Sequence, residues 1–251
     1  MFEGKLATLG GLVAAAVLGV SLPACAQPLF RNFQPFGESR GAANPPVARY
    51  LASEGQSFIL DRSAIAPEAL LKFDDSFEVW VLEPATAPRG DTIYRNDAGV
   101  SVVKVTRLGG VTLYTQREPG GVPVSIQGDA EEIALPPSIP DKVMLQRSVQ
   151  ASDRTSRAAQ HAVTFEAPFY TPATSPVFFD AITITSDALV RFARRKGAKR
   201  FLAKLDKVQF VLGAKPDVSF NGSVLTITLT PTKGYAGRPS SDRIISVCTK
   251  H

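Results

Sequence analysis

The apolar residues of this chain change their period once, from two to nearly four, across Pro136-Pro137. A period of two sends successive side chains to opposite faces of a strand, whereas a period near 3.6 gathers them on one face of a helix. A chain that holds the first pattern for one long block and then takes up the second is predicted to be α+β. The expected order is an N-terminal antiparallel β-meander, then a helix-rich part with a short antiparallel sheet.

The β region spans residues 47–137. From Tyr50 to Leu135, β-branched and aromatic runs alternate with turn clusters, as antiparallel strands do. The runs are Ser57–Asp61, Leu70–Phe73, Glu78–Leu82, Thr92–Arg95, Val100–Arg107, Val111–Thr115, Pro123–Ile126 and Glu131–Leu135. Asn96-Asp97-Ala98-Gly99 and Leu108-Gly109-Gly110 supply residues suited to tight hairpins. In Val79-Trp80-Val81-Leu82, alternation places Trp80 and Leu82 on one face, with Trp80 as a core anchor.

Residues 138–251 are read as an α+β region packed on the first. A helix is predicted from about Asp141 to Ala162, and a second from Ser175-Pro176, with Ser175 as N-cap. The second carries the ladder Phe178, Ile182, Leu189 and Phe192. Gly197 separates it from a shorter helix through Phe201, Leu202 and Leu205. Strands are expected at Val208–Leu212, Asp217–Phe220 and Val224–Thr230, with an Asn221-Gly222 turn, before a last helix bearing Ile244, Ile245 and Cys248.

Residues 1–26 read as a signal peptide: an uncharged run from Leu6 to Leu22 precedes Ala24-Cys25-Ala26, with cleavage expected before Gln27. Its 17 residues fall short of a comfortable membrane span. Leu22-Pro23-Ala24-Cys25 also resembles a lipobox, which would make Cys25 a lipidation site. Residues 27–46 hold four Pro and two Gly and read as an arm or linker that also carries Phe30, Phe33 and Phe36. Either processing route leaves no internal disulfide, and Cys248 is expected to be a small buried apolar residue.

Two His and two Cys are too few for most zinc sites, and no metal or cofactor is expected. Nucleotide-binding and α/β-hydrolase motifs are missing. Ser101-Val102-Val103-Lys104 has a Ser-X-X-Lys spacing, but in a strand an odd separation sends the two side chains to opposite faces. Asp74-Asp75 and Glu131-Glu132 read as solvated acids. His161 is the one imidazole away from the C-terminus and stands without a neighbouring nucleophile.

The strongest local signal is charge. Arg191, Arg194, Arg195, Lys196, Lys199, Arg200, Lys204 and Lys207 put eight cations into 17 residues, opposed by Asp206 alone. If a helix runs through Gly197, then Lys196, Arg200, Lys204 and Lys207 form one stripe able to attract phosphate or carboxylate groups.

The stretch from Tyr50 to Tyr114, with Gly55-Gln56-Ser57-Phe58-Ile59-Leu60-Asp61, Glu78-Val79-Trp80 and Arg89-Gly90-Asp91-Thr92-Ile93-Tyr94-Arg95-Asn96-Asp97, resembles an uncharacterised family of exported proteobacterial proteins. Pro216-Asp217-Val218-Ser219-Phe220 and Ala236-Gly237-Arg238-Pro239-Ser240-Ser241 are similar to that family's C-terminal end. The resemblance implies no activity and carries over no catalytic residue. The combined expectation is a periplasmic or exported cell-envelope protein, a binding or structural module. Its basic stripe would contact anionic lipid head groups or cell-wall polymer, not nucleic acid. The alternative is a periplasmic hydrolase assembled from distant residues, with His161 and the turn Arg89-Gly90-Asp91 as candidates.

Overall fold

A computed structural model describes residues 45–251. The expected signal peptide, the lipidation candidate Cys25 and most of the expected arm lie outside the described residues. Eight strands come first: β1 (Val47–Ala52), β2 (Ser57–Asp61), β3 (Ala69–Phe73), β4 (Val79–Thr86), β5 (Thr92–Arg95), β6 (Ser101–Val105), β7 (Val111–Leu113) and β8 (Val122–Asp129). Each pairs antiparallel with the next, and β8 returns to β1, where Tyr50 opposes Ile126 and Ala52 opposes Val124. The meander is thus a closed barrel, which leaves no sheet edge unpaired. Strand β1 is absent from the predicted runs because two of its three inward residues, Ala48 and Ala52, are weak strand formers. Without it there is nothing for β8 to close against.

Aromatic rings fill the interior in sequence across four strands. Tyr50 stacks on Phe58 with centroids 5.4 Å apart, Phe58 meets Phe73 edge-on at 5.8 Å, and Phe73 meets Trp80 edge-on at 6.0 Å. Trp80 and Leu82 face this core as alternation predicts. Val79 and Val81 face outward and join Leu70 and Ile133 in a second cluster on the barrel wall.

Ile133 belongs to the expected strand Glu131–Leu135, which is not a strand. It is an extended strap whose Ile133 N–H donates to the buried Asp61 carboxylate at 2.9 Å rather than to a neighbouring strand. Burial pushes the Asp61 pKa up, but hydrogen bonds from Ile133, Ser63 and Ala64 outweigh it and hold the carboxyl below its ordinary range.

The second half contains α1 (Asp141–Ala159), β9 (Thr164–Glu166), α2 (Ser175–Ala193), α3 (Ala198–Leu202), β10 (Lys207–Leu212), β11 (Asp217–Asn221), β12 (Val224–Leu229) and α4 (Ser241–Thr249). Helix α1 stops at Ala159, short of the expected Ala162, because Gln160 turns left-handed with φ 65°. Ser175 is the first residue of α2 rather than its cap, a place taken by Thr174; its hydroxyl donates to the Pro172 carbonyl and accepts from Ile139 N–H.

The sheet order is β11-β12-β10-β9, and only the β11–β12 hairpin is antiparallel. Strand β10 runs parallel to both β12 and β9, so the expected short antiparallel sheet is mixed. The parallel β9–β10 pair is possible because α2 and α3 lie between the two strands in sequence and provide the crossover. Three residues long and followed by Ala167-Pro168, β9 is too short for a period to register. Phe178, Ile182, Leu189 and Phe192 of α2 pack with Val208, Phe210, Leu225, Ile227, Ile244 and Ile245 in one core. Cys248 is buried there, its thiol pKa pushed up to about 12 by burial.

Barrel and helices are joined through a 3-10 segment, Pro231–Gly237, and the start of α4. Gly237 admits no side chain: a Cβ there would lie 2.1 Å from the Thr230 carbonyl oxygen, in a loop closed by the Thr230 N–H donating to the Gly237 carbonyl at 2.7 Å. Gly237→Ala should therefore lose about 3 kcal/mol of stability in urea unfolding, since the contact is with backbone that cannot rotate away. A loss near zero would show that this loop yields.

Candidate functional site

Three helix-terminal residues and three barrel residues build the junction between the halves. The first N–H groups of any helix lack partners inside the helix and carry partial positive charge. At α4 two barrel carboxylates take them. Glu78, just before β4, accepts from the Ser241 N–H at 2.8 Å and from the Ser241 hydroxyl. Asp97, in the β5–β6 turn, accepts from the Ser240 N–H at 2.8 Å and from the Ser240 hydroxyl. Ser240 in turn caps α4 by accepting from Arg243 N–H at 3.1 Å. Asn96 donates to Asp242 at 3.1 Å while its carbonyl oxygen accepts from Ala98 and Val100 N–H.

Beneath this contact lies Arg238, which is 4% exposed. Its guanidinium is ion-paired with Asp180 of α2 and donates to the carbonyls of Val79 at 2.8 Å and Pro239 at 3.3 Å. The Glu78 carboxylate is 4.0 Å away. Desolvation pushes the Glu78 pKa upward, and the opposing pull of Arg238 and of the Ser241 donors is smaller. Asp180 is the closer counter-ion, so Glu78 serves mainly as an acceptor for the helix terminus.

Outside the buried network a groove of about 590 Å³ opens along the same junction, lined by Glu68, Glu83, Arg95, Lys215, Lys233 and Arg243 among others. Arg238, Asn96, Asp97 and Ser240 line it from the network side. Contacts here link residues up to 163 positions apart, as Glu78 and Ser241 are. Local spacing therefore could not assemble this site. Glu78, Asn96, Asp97, Arg238, Ser240 and Ser241 all fall within the segments that carry the family resemblance, which was the one available signal.

The expected cationic residues are placed differently from a single helical stripe. Helix α2 ends at Ala193, Gly197 is left-handed with φ 87°, and α3 ends at Leu202. Lys196 therefore sits in the turn before α3, Arg200 on α3, Lys204 in the turn after it, and Lys207 at the start of β10. A glycine at positive φ interrupts the helix, so the four do not share a helix face. The polarity of the segment does match expectation: Ala198, Phe201, Leu202 and Leu205 are buried, while Arg195, Lys196, Lys199, Arg200 and Lys204 are exposed. Lys207 is ion-paired with Glu166 at 3.0 Å. Among the described residues, Arg194, Arg195, Lys196, Lys199, Arg200 and Lys204 have no acidic partner.

His161 follows the end of α1. One ring nitrogen lies 3.2 Å from the Ala159 carbonyl and the other 2.8 Å from that of Leu205, with Asp206 at 3.8 Å. It ties the helix end to the turn before β10, and no hydroxyl is among its partners. In the Arg89-Gly90-Asp91 turn, Arg89 has φ 68°, and Asp91 is ion-paired with Lys104 at 2.8 Å and accepts from Arg107 N–H. Lys104 thus turns to Asp91. Of the paired acids, Asp74 is bound by Arg49 and Ser57. No group of three or more His, Cys, Asp or Glu suited to a metal ion occurs among the described residues, nor any helix long and apolar enough to cross a membrane.

Two substitutions probe the network. Removing the cation in Arg238→Ala leaves Asp180 and Glu78 without their shared counter-ion, and should lower stability by about 4 kcal/mol in urea unfolding. For Glu78 the folded pKa is raised above the ordinary 4.5, so the folded state holds the proton more tightly than the unfolded chain. Its contribution to stability is then complete below the unfolded value and is lost as pH rises through the folded one. Glu78→Gln abolishes that loss, so the stability of the variant relative to the parent should climb as pH is raised from about 4.5 towards neutrality. A pH-independent difference would mean that Glu78 ionises as an exposed carboxyl does.

No curated protein and no solved structure matches the chain. Residues 30–248 match the family described as Domain of unknown function (DUF4908), a span that takes in the whole barrel, the junction and nearly all of α4. The chain belongs to that family.

Proposed function

We propose that this chain is an exported cell-envelope module that binds an anionic surface through residues 194–204. The observation that carries the proposal is the set of six cations in those 11 residues with no acidic partner among the described residues. A charge that is already paired has little left to offer a ligand, as the exposed Arg157 with Asp153 illustrates. Unpaired cations anchored over buried Phe201, Leu202 and Leu205 remain available. They suit phosphate-bearing lipid head groups or an anionic cell-wall polymer, both at hand for a protein with a signal-like N-terminus and normally without nucleic acid. Retention by lipidation at Cys25 would hold the module at the same surface.

Basic residues near an anionic bilayer contribute about 1 kcal/mol each. The triple variant Lys196→Gln, Arg200→Gln, Lys204→Gln should accordingly weaken sedimentation with phosphatidylglycerol vesicles by roughly hundredfold at low salt. Raising the salt should erase most of the difference. Lys207→Gln should matter least, because Glu166 already holds that ammonium. Unchanged vesicle binding together with lost retention on isolated cell wall would assign the polymer instead. Unchanged retention on both would remove the anion-binding role.

A further inference from the structure

A groove runs along the junction, outside the buried network. Its volume of about 590 Å³ lies within the range of small-ligand pockets, roughly 300 to 1,000 Å³, and the boundary between two packing units is a common place for one. The network side is held in place before any ligand arrives. Asp97 is bound to Ser240, Asn96 to Asp242 and its own turn, and Arg238 to Asp180 and two carbonyls. These groups have spent their hydrogen bonds on one another, so they supply shape. Among the described residues Asp97 hydrogen-bonds only to the neutral Ser240, so its charge adds to that of the rim.

The two walls carry opposite surplus charge. On the helical side stand Lys215 in the β10–β11 turn, Lys233 in the 3-10 segment and Arg243 on α4. Arg243 is shared with Asp217 at 2.9 Å, while neither lysine has an acidic partner among the described residues. On the barrel side, Glu68, Glu83 and Asp97 stand against Arg95, the register partner of Glu83, so this wall carries more acid than base. A ligand of one sign would be drawn to one wall and repelled by the other. A ligand that spans the groove with an amine towards Glu68 and carboxylates towards Lys215 and Lys233 satisfies both. Lys215 and Lys233 on the helical wall each call for a carboxylate, and the acidic barrel wall calls for an amine. We propose that the groove binds a short acidic peptide with a free amino terminus. This site is independent of residues 194–204 and does not require the surface-binding role.

The test is calorimetric titration of the full chain, at low ionic strength, with the tripeptide Ala-Glu-Glu and with its N-acetylated form. The parent should bind the free tripeptide, and Lys215→Ala/Lys233→Ala should weaken that binding by about tenfold or more. Acetylation should weaken binding to the parent but not to Glu68→Gln, because the amine then has no partner to lose. Circular dichroism and thermal unfolding verify that these rim variants stay folded. The variant Lys196→Gln, Arg200→Gln, Lys204→Gln should bind the tripeptide as the parent does. No heat with either peptide up to about 10 mM would overturn the proposal, as would equal affinity for the acetylated form. Binding lost only in the 196/200/204 variant would assign the peptide to the basic surface and also overturn it.

Discussion

A guanidinium removed from water must be matched by fixed charges and dipoles, and Arg238 draws its partners from three parts of the chain. Asp180 comes from α2, the Val79 carbonyl from the barrel, and the Pro239 carbonyl from the lead-in to α4. No two of these elements can shift independently without exposing a bare charge to an apolar surrounding. Glu78 adds a further constraint by binding the α4 terminus while standing 4.0 Å from the same guanidinium. The groove outside this network inherits its shape from it, since Arg238, Asn96, Asp97 and Ser240 line both.

The barrel can supply partners to the junction because it is closed. A closed sheet has no free edge to fray, so a carboxylate at one of its turns is presented from a rigid frame. Asn96 and Asp97 show the result: a turn whose residues suit a hairpin also docks a helix terminus 143 residues further on. Where the frame meets the helices, Gly237 is needed because a Cβ there would lie 2.1 Å from the Thr230 carbonyl oxygen.

The basic segment follows a different logic. Its apolar residues are consumed by the core, with Phe201 tilted against Phe220 at 4.5 Å and edge-on to Phe192 at 5.6 Å. The cations between them have nowhere to go but outward. Interruption at Gly197 changes the form of the charged surface, from a stripe along one helix to a corner between α2, α3 and β10, without changing how exposed the cations are.

Much of this was legible in the residue pattern. Period two predicted seven of the eight barrel strands, all but β1, and the two faces of β4. Period 3.6 predicted α1 and α2, and the polarity of residues 191–207 predicted which of them would be buried. These features depend on neighbours within one turn or one strand, which a linear pattern records. Closure through Ala48, Tyr50 and Ala52, the parallel β9–β10 pairing, the strap bound to Asp61 and the contact of Glu78 with Ser241 depend on partners tens to more than a hundred residues away. Composition and spacing alone determined the α+β class, the apolar faces and the concentration of charge. Only the tertiary structure decided that the sheet closes, that Gly197 breaks the helix, and that a buried arginine and an acid-capped helix terminus frame a groove. Hydrogen bonds and ion pairs across such separations are selected by the folded geometry and leave no period in the chain.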